Sequence, residues 1–154
     1  MIAYKFELSE QPAQPALSIR TRTSVANLPQ ELGQAYGAII EYLNEIGEKP
    51  AGAAFAAYYN MDMEDLDVEM GFLVAKQLVG KGEIKPSVIP PGKQVSYLYK
   101  GPYQKMAPVY EAMMQWMNEN AYTPNGIAYE FYYNSPVEVP ESDLLTKIVF
   151  PLKG

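Results

Sequence analysis

The 154-residue sequence contains neither cysteine nor histidine. Without cysteine, disulfide bonds and thiolate chemistry are excluded. Without histidine, the chain lacks the usual general base at neutral pH and the commonest metal ligand in proteins. We therefore expect no metal site and no cofactor, and any catalysis would have to depend on a carboxylate.

Long apolar runs and positive charge are also scarce. No apolar run is long enough to span a membrane, and the N-terminus lacks the basic and apolar segments of a secretory signal, so we expect a cytoplasmic protein. The net charge is −6, the pI is about 4.7, and the 12 basic residues are scattered. A phosphate backbone needs clustered basic residues, so we expect no direct binding to nucleic acid.

Aromatic and polarizable side chains are abundant, with 13 tyrosines and 8 methionines. Such side chains fill cores, and they also line adaptable cavities that stack on flat or cationic ligands. The stretch Gly126–Asn134, GIAYEFYYN, is typical of a strand between two turns, and its one carboxylate is Glu130. A carboxylate at that position either points to water or lies in an aromatic cavity.

Hydrophobic periodicity predicts the elements that precede this stretch. Alternation predicts strands at 1–10 and 17–25, and helical spacing predicts a helix at 29–46 that ends at Gly47. Two further strands are expected at 53–60 and 66–79.

The second half of the chain repeats the first. A shift of 74 positions superposes matching residues, and a longer loop then raises the shift to 78. The matches include Tyr36 with Tyr110, Asn44 with Asn118, Pro50 with Pro124, Tyr58-Tyr59-Asn60 with Tyr132-Tyr133-Asn134, and Asp65-Leu66 with Asp143-Leu144. We predict a single domain over 1–154 that contains a first repeat at about 15–79, a second at about 83–154, and an additional N-terminal strand at 1–10.

The repeat predicts an α+β fold built from a duplicated β-α-β-β unit. One copy has too little apolar surface to be stable alone, so the copies should pair about a pseudo-twofold axis into one antiparallel sheet. We expect the helices at 29–46 and 102–120 on one face of it, with a ligand groove between them. Its predicted floor contains Ala56, Tyr58, Glu130 and Tyr132. Glu130 corresponds to Ala56 in the repeat, which favours a cavity there over a filled core.

Several segments together resemble the gyrase-inhibitor-like (GyrI-like) effector-binding domain, which is also the ligand-binding part of multidrug-responsive transcription activators. They are GPYQKM at 101–106, the helix through Tyr110 and Trp116, the strand GIAYEFYYN, and the tail PVEVPESDLLTKIVFPL at 136–152. The resemblance implies a stand-alone multidrug-binding or xenobiotic-binding protein for bulky, preferentially cationic, aromatic compounds. Glu130 matches the acid of the family's pocket, and the aromatic residues implied with it are Tyr132, Tyr110 and Trp116; Tyr36 and Tyr58 complete the predicted binding residues.

The resemblance leaves two alternatives open. Some members are credited with hydrolysing cyclopropane-bearing genotoxins, which implies Glu130 as a general base with Tyr132 as its partner. The other alternative is a gyrase-interacting modulator that presents the acidic runs 61–67 and 138–143, and a homodimer is also possible. We expect no helix-turn-helix and hence no direct transcription activation.

Overall fold

The computed structural model describes residues 4–153, which form eight strands and two α-helices. The fold is therefore α+β, as predicted. The strands are β1 (Glu7–Gln11), β2 (Gln14–Thr23), β3 (Ala54–Tyr58), β4 (Leu66–Leu73), β5 (Lys85–Ile89), β6 (Gly92–Lys100), β7 (Ala128–Tyr132) and β8 (Leu145–Pro151). The helices are α1 (Leu28–Glu45) and α2 (Ala107–Glu119).

The chain divides into two compact units. The first unit is Pro12–Pro91, and the second unit combines the chain up to Gln11 with the chain from Gly92 onward. The N-terminal strand thus belongs with the second half of the sequence. The main part of the second unit begins at Gly92, and the bounds of the sequence repeat stay a prediction.

The first unit contains a four-stranded antiparallel sheet in the order β3-β4-β2-β5. Helix α1 begins with Pro29 in its first turn and ends before Gly47, whose φ of 73° is in the left-handed region that glycine adopts at little cost. The apolar residues of α1 pack on the sheet. Their buried cluster contains Leu17, Ile39, Tyr42, Leu43, Val74 and Ile84.

Strand β5 was not predicted from the sequence. Pro86 lies in this strand opposite Leu17, and Pro90 and Pro91 follow its end. Proline donates no backbone hydrogen bond, so it is tolerated in a strand at the end of a sheet, which is where β5 lies in this unit. A proline-rich segment carries little strand signal, and only pairing with β2 identifies this one.

The second unit contains a four-stranded antiparallel sheet in the order β1-β6-β8-β7. Helix α2 packs on one face of it. The buried cluster between them contains Val95, Tyr99, Met106, Val109, Met113, Met117, Ala128, Ile148 and Phe150. The methionines of α2 are thus divided, because Met113 and Met117 are fully buried while Met114 is exposed.

The predicted strand at 1–10 is shorter in the structure. Strand β1 is Glu7–Gln11, and residues 1–3 of the prediction lie outside the described residues. Tyr4 and Phe6 precede the strand but pack against the second unit's core, each with an edge-to-face contact to Tyr97. The apolar character of Tyr4 and Phe6 therefore reflects packing against the core rather than strand pairing.

Candidate functional site

Glu130 lies in the middle of β7, directly opposite Ile148 of β8. Residues that face each other across two strands lie on the same side of the sheet. Ile148 is fully buried in the cluster beneath α2, so Glu130 also faces α2. Its neighbours in the strand, Tyr129 and Phe131, point to the opposite side and are buried there.

Two tyrosines hold the Glu130 carboxylate. The Tyr132 hydroxyl donates a hydrogen bond to Oε1 over 2.7 Å, and the Tyr110 hydroxyl of α2 donates one to Oε2. In residues 4–153 no lysine or arginine forms a salt bridge with Glu130. The carboxylate is thus capped by neutral donors and lacks a cation from the second unit's own side chains.

Burial raises the pKa of the Glu130 carboxyl above its ordinary value, and the hydrogen bonds from Tyr110 and Tyr132 oppose that rise. Burial disfavours the charged form because low-polarity surroundings replace water. The side chain is nevertheless only half-buried, so part of its surface is open. The site therefore combines a carboxylate that is costly to ionise with access for a ligand that would compensate its charge.

Tyr103 forms a further wall of the site. Its ring meets the Tyr132 ring edge to face, with the centroids 5.8 Å apart. Burial raises the pKa of the Tyr103 hydroxyl, and the negative charge of Glu130 adds to the rise. Tyr103 lies in a short 3₁₀ turn before α2, inside the GPYQKM segment. The sequence identified that segment but gave no reason to choose Tyr103 from it.

Packing fixes the position of Tyr110. Its ring meets Phe150 of β8 edge to face, with the centroids 5.6 Å apart. Aromatic pairs of this geometry stabilise a fold by about 0.5–1.5 kcal/mol beyond their burial. Because Phe150 is buried in the core, the Tyr110 hydroxyl is held towards β7 from above the sheet.

A buried hydroxyl without a partner lies beside the site. Thr146 of β8 stands opposite Tyr132 in the strand register and is fully buried. Its Oγ1 has no hydrogen-bond partner among the residues that the structure describes. Such a group costs about 1–3 kcal/mol of stability. No sequence pattern distinguished Thr146.

Trp116 was predicted to bind ligand beside Glu130. It lies on α2, where its ring stacks on Tyr122 at 5.6 Å and meets Phe6 edge to face at 5.9 Å. Trp116 and Tyr110 pack against the same buried cluster, and the role of Trp116 in binding stays a prediction.

The other predicted binding residues lie in the first unit. The Tyr36 hydroxyl donates a hydrogen bond of 2.8 Å to the Phe55 carbonyl oxygen, and the Tyr36 ring meets Phe72 edge to face. Ala56 is fully buried on β3, and Tyr58, at the end of that strand, is half-buried. Their relation to Glu130 stays a prediction.

The described part of the chain contains neither a cluster of metal ligands nor a helix that could span a membrane. Between residues 4 and 153, no group of three or more acidic side chains is arranged to hold a metal ion. No helix in that range is long and apolar enough to cross a membrane.

Comparison with known proteins identifies the fold. The family model described as "GyrI-like small molecule binding domain" matches residues 4–153. No curated protein matches at the sequence level.

Three solved proteins are similar in structure. The EcmrR C-terminal domain has a TM-score of 0.83 and 24% identity, with 99% of each chain covered; in the EcmrR–DNA complex, this chain covers only 57% of the longer EcmrR chain. A hydrolase from Listeria innocua has a TM-score of 0.71 and 13% identity, with 97% of this chain and 92% of that chain covered. SAV2435, solved with tetraphenylphosphonium bound, has a TM-score of 0.71 and 12% identity, with 97% of this chain and 94% of that chain covered.

Proposed function

We propose that this chain, which belongs to the GyrI-like small molecule binding domain family, captures bulky aromatic cations at Glu130. The observation that carries the proposal is a half-buried carboxylate with two tyrosine donors and no cationic partner in the described residues. SAV2435, of similar fold, was solved with a ligand of this class, tetraphenylphosphonium.

The tyrosine hydrogen bonds favour a particular kind of cation. Both carboxylate oxygens already accept a hydrogen bond, so a ligand gains little by bringing N–H donors of its own. A lipophilic cation without donors can place its charge near the carboxylate and its rings against Tyr103 and Tyr132. A cation over an aromatic face gains about 0.5–2 kcal/mol, and more where water is excluded. Selectivity would then depend on charge and aromatic surface.

The proposal extends to the predicted groove between the two helices. Its support is the sequence repeat, which aligns Ala56 and Tyr58 of the first unit with Glu130 and Tyr132 of the second. Tyr36 and Tyr58 enter the proposal as the counterparts of Tyr110 and Tyr132 in the sequence repeat. Tyr58→Ala should then weaken tetraphenylphosphonium binding severalfold.

The decisive experiment replaces Glu130 by glutamine, which keeps the shape and removes the charge. Calorimetry should show tetraphenylphosphonium binding weakened by about 1.5–3 kcal/mol, the range for a hydrogen bond or contact to a charged group. Triphenylphosphine oxide, which is neutral and aromatic, should change much less.

The matched control is Glu69→Gln in the first unit. Glu69 also accepts hydrogen bonds from two hydroxyls, those of Tyr59 and Ser18. This variant loses the same charge from an equally capped carboxylate, so it should bind tetraphenylphosphonium like the parent. Equal weakening in both variants would mean that only net charge matters, and the proposed site would be abandoned.

The second candidate function is hydrolysis of cyclopropane-bearing genotoxins. The observation that favours it is the burial that raises the pKa of Glu130, together with the Tyr132 hydroxyl 2.7 Å away. Glu130 would take a proton from water as the water oxygen bonds to a ring carbon. The ring C–C bond then breaks, and its electron pair takes up the Tyr132 proton.

Mass spectrometry of the recovered ligand separates capture from hydrolysis. Hydrolysis predicts a product heavier by one water, formed by the parent and lost in both Glu130→Gln and Tyr132→Phe. Capture predicts that the ligand is recovered unchanged from all three proteins. A gyrase or homodimer partner stays a prediction, and part of the acidic run 61–67 is already paired, since Asp65 and Asp67 bind Arg22 and Arg20.

A further inference from the structure

A cavity open to solvent lies on the face of the second unit's sheet that is opposite Glu130. Its volume is about 370 Å³, within the range of small-molecule sites. The lining includes Lys5, Glu7, Ser96, Leu98, Tyr133 and Lys147. The strand register explains the choice of face, because Lys147 is adjacent in sequence to Ile148, which points towards α2.

At the corresponding positions of the first unit, the side chains contact one another. There Glu69 of β4 stands opposite Arg20 of β2, and its carboxylate accepts hydrogen bonds from Tyr59 (2.5 Å) and Ser18 (2.6 Å). The Arg20 guanidinium lies 3.9 Å above the Tyr59 ring. The two hydroxyls hydrogen-bond the carboxylate, and the Arg20 guanidinium forms its salt bridge with Asp67 at 2.8 Å. Each charge at these positions therefore has a partner.

The second unit keeps the serine and the tyrosine at the corresponding positions but has different residues in place of the two charged ones. Lys147 of β8 stands opposite Leu98 of β6, and Ser96 lies two residues before Leu98 as Ser18 lies two before Arg20. Tyr133 follows β7 as Tyr59 follows β3. An ammonium thus replaces the carboxylate, and an apolar side chain replaces the guanidinium.

The two lysines of the cavity form no salt bridge with a described carboxylate. Within residues 4–153 neither Lys5 nor Lys147 forms a salt bridge, although Glu7 lines the same cavity. Lys147 is half-buried in a central strand, which limits its contact with water. Two ammonium groups against one carboxylate leave a net positive charge in this cavity, whereas the whole chain carries −6.

Two large hydrophobic side chains of the cavity are exposed. Leu98 is 53% exposed and Tyr133 is 51% exposed, on a sheet face whose other members, such as Phe131 and Val149, are buried. A flat ring laid on Leu98 and Tyr133 would cover both. Its acid group could reach Lys147, Lys5 and the Ser96 hydroxyl.

We propose that this cavity binds a small aromatic carboxylate, with the anion between Lys5 and Lys147 and the ring against Leu98 and Tyr133. The site is separate from Glu130 and has the opposite charge preference. The chain would then carry two small-molecule sites, one for aromatic cations and one for aromatic anions, on opposite faces of one sheet.

The test measures naphthalene-2-carboxylate binding by calorimetry at low salt, with neutral 2-naphthamide as the ring-matched comparison. Lys147→Met should weaken the carboxylate about tenfold and leave the amide unchanged, as for loss of one partly exposed charge-assisted contact. Lys147→Arg, which keeps the charge, should retain most of the affinity. The control is Lys93→Met. Lys93 is an exposed lysine of β6 that does not line the cavity, so this variant should bind like the parent.

A second variant, expected to tighten binding, keeps the proposal testable if Lys147→Met fails to fold. Glu7→Gln removes the cavity's carboxylate and should tighten carboxylate binding severalfold. Glu130→Gln should leave it unchanged, so failure of the cation site and failure of this site are separable. The proposal is overturned if the parent binds the carboxylate no better than the amide, or if Lys147→Met and Lys93→Met behave alike.

Discussion

Glu69 of the first unit and Glu130 of the second are both half-buried in mid-strand, and each accepts two side-chain hydroxyl hydrogen bonds. Their surroundings differ in charge. Arg20 stands opposite Glu69 and lies over the Tyr59 ring, although its salt bridge is with Asp67, whereas the residue opposite Glu130 is the apolar Ile148. Two hydroxyl hydrogen bonds therefore do not distinguish the two carboxylates. The proposed ligand site differs from Glu69 in that no cation stands opposite its carboxylate.

The two units also differ in the residue that stands opposite the serine near each sheet face, and a substitution there should change the free energy of unfolding most. Gly71 of β4 stands opposite Ser18, where the second unit has the buried Val149 opposite Ser96. A Cβ at Gly71 would lie 2.3 Å from the Leu17 carbonyl oxygen and 2.8 Å from the Ser18 Cβ. Gly71→Ala should lower the free energy of unfolding by about 3 kcal/mol, because backbone must move to make room.

Chemical denaturation measures this loss, with Gly37→Ala as the control. Gly37 lies in α1 with open space around its Cβ position, so alanine there should be neutral or stabilising. If Gly71→Ala were as stable as the parent, the strands β2 and β4 would not approach as closely as described.

The charge comparison is sharpened by pH. Burial is the main cause that raises the pKa of Glu130. The carboxyl group therefore ionises at a pH above the ordinary glutamate value of 4.5. Tetraphenylphosphonium affinity should therefore rise with pH through that window, by at most tenfold per pH unit, and then level off. Tyr110→Phe and Tyr132→Phe should shift the rise to higher pH, since each removes a hydrogen bond that lowers the pKa.

Stability should respond to pH with the opposite sign. Because the folded-state pKa is raised, protonated Glu130 favours the folded state. The contribution of this group is largest at pH values below its unfolded pKa and is lost as pH rises through the folded pKa. Glu130→Gln should remove both pH dependences, and Glu69→Gln should leave the binding dependence intact. An affinity in the parent that stays constant as the pH rises from below the ordinary glutamate value of 4.5 until Glu130 is ionised would contradict the role given to Glu130.

The smallest effect concerns the orphan hydroxyl beside Tyr132. Thr146→Val keeps the shape of the buried side chain and removes a polar group that has no partner in residues 4–153. The free energy of unfolding should rise by about 1 kcal/mol. Thermal denaturation would show it, and a loss of stability would mean that water or a ligand normally satisfies the hydroxyl. Thr21→Val, on the half-buried β2 of the first unit, provides the comparison.

Much of the architecture was readable from the sequence. Helical spacing predicted a helix at 29–46 that is α1 (Leu28–Glu45), and the stretch 126–134 contains β7 (Ala128–Tyr132). These predictions succeeded because the spacing of apolar residues within one helix or strand follows the period of that element. The short β1 and the proline-containing β5 were misjudged, since pairing with distant strands rather than local pattern places them.

For the candidate site, the absence of cysteine and histidine predicts that any catalysis would depend on a carboxylate, and the strand pattern selects Glu130 among tyrosines. Only the tertiary structure decided which tyrosines reach it. Tyr110 and Tyr132 donate to the carboxylate, Tyr103 walls the site, and Trp116 packs against Phe6 and Tyr122. The physical reason is that spacing along one helix or strand fixes the face on which a side chain lies. The distance between side chains of different elements is set by how those elements pack.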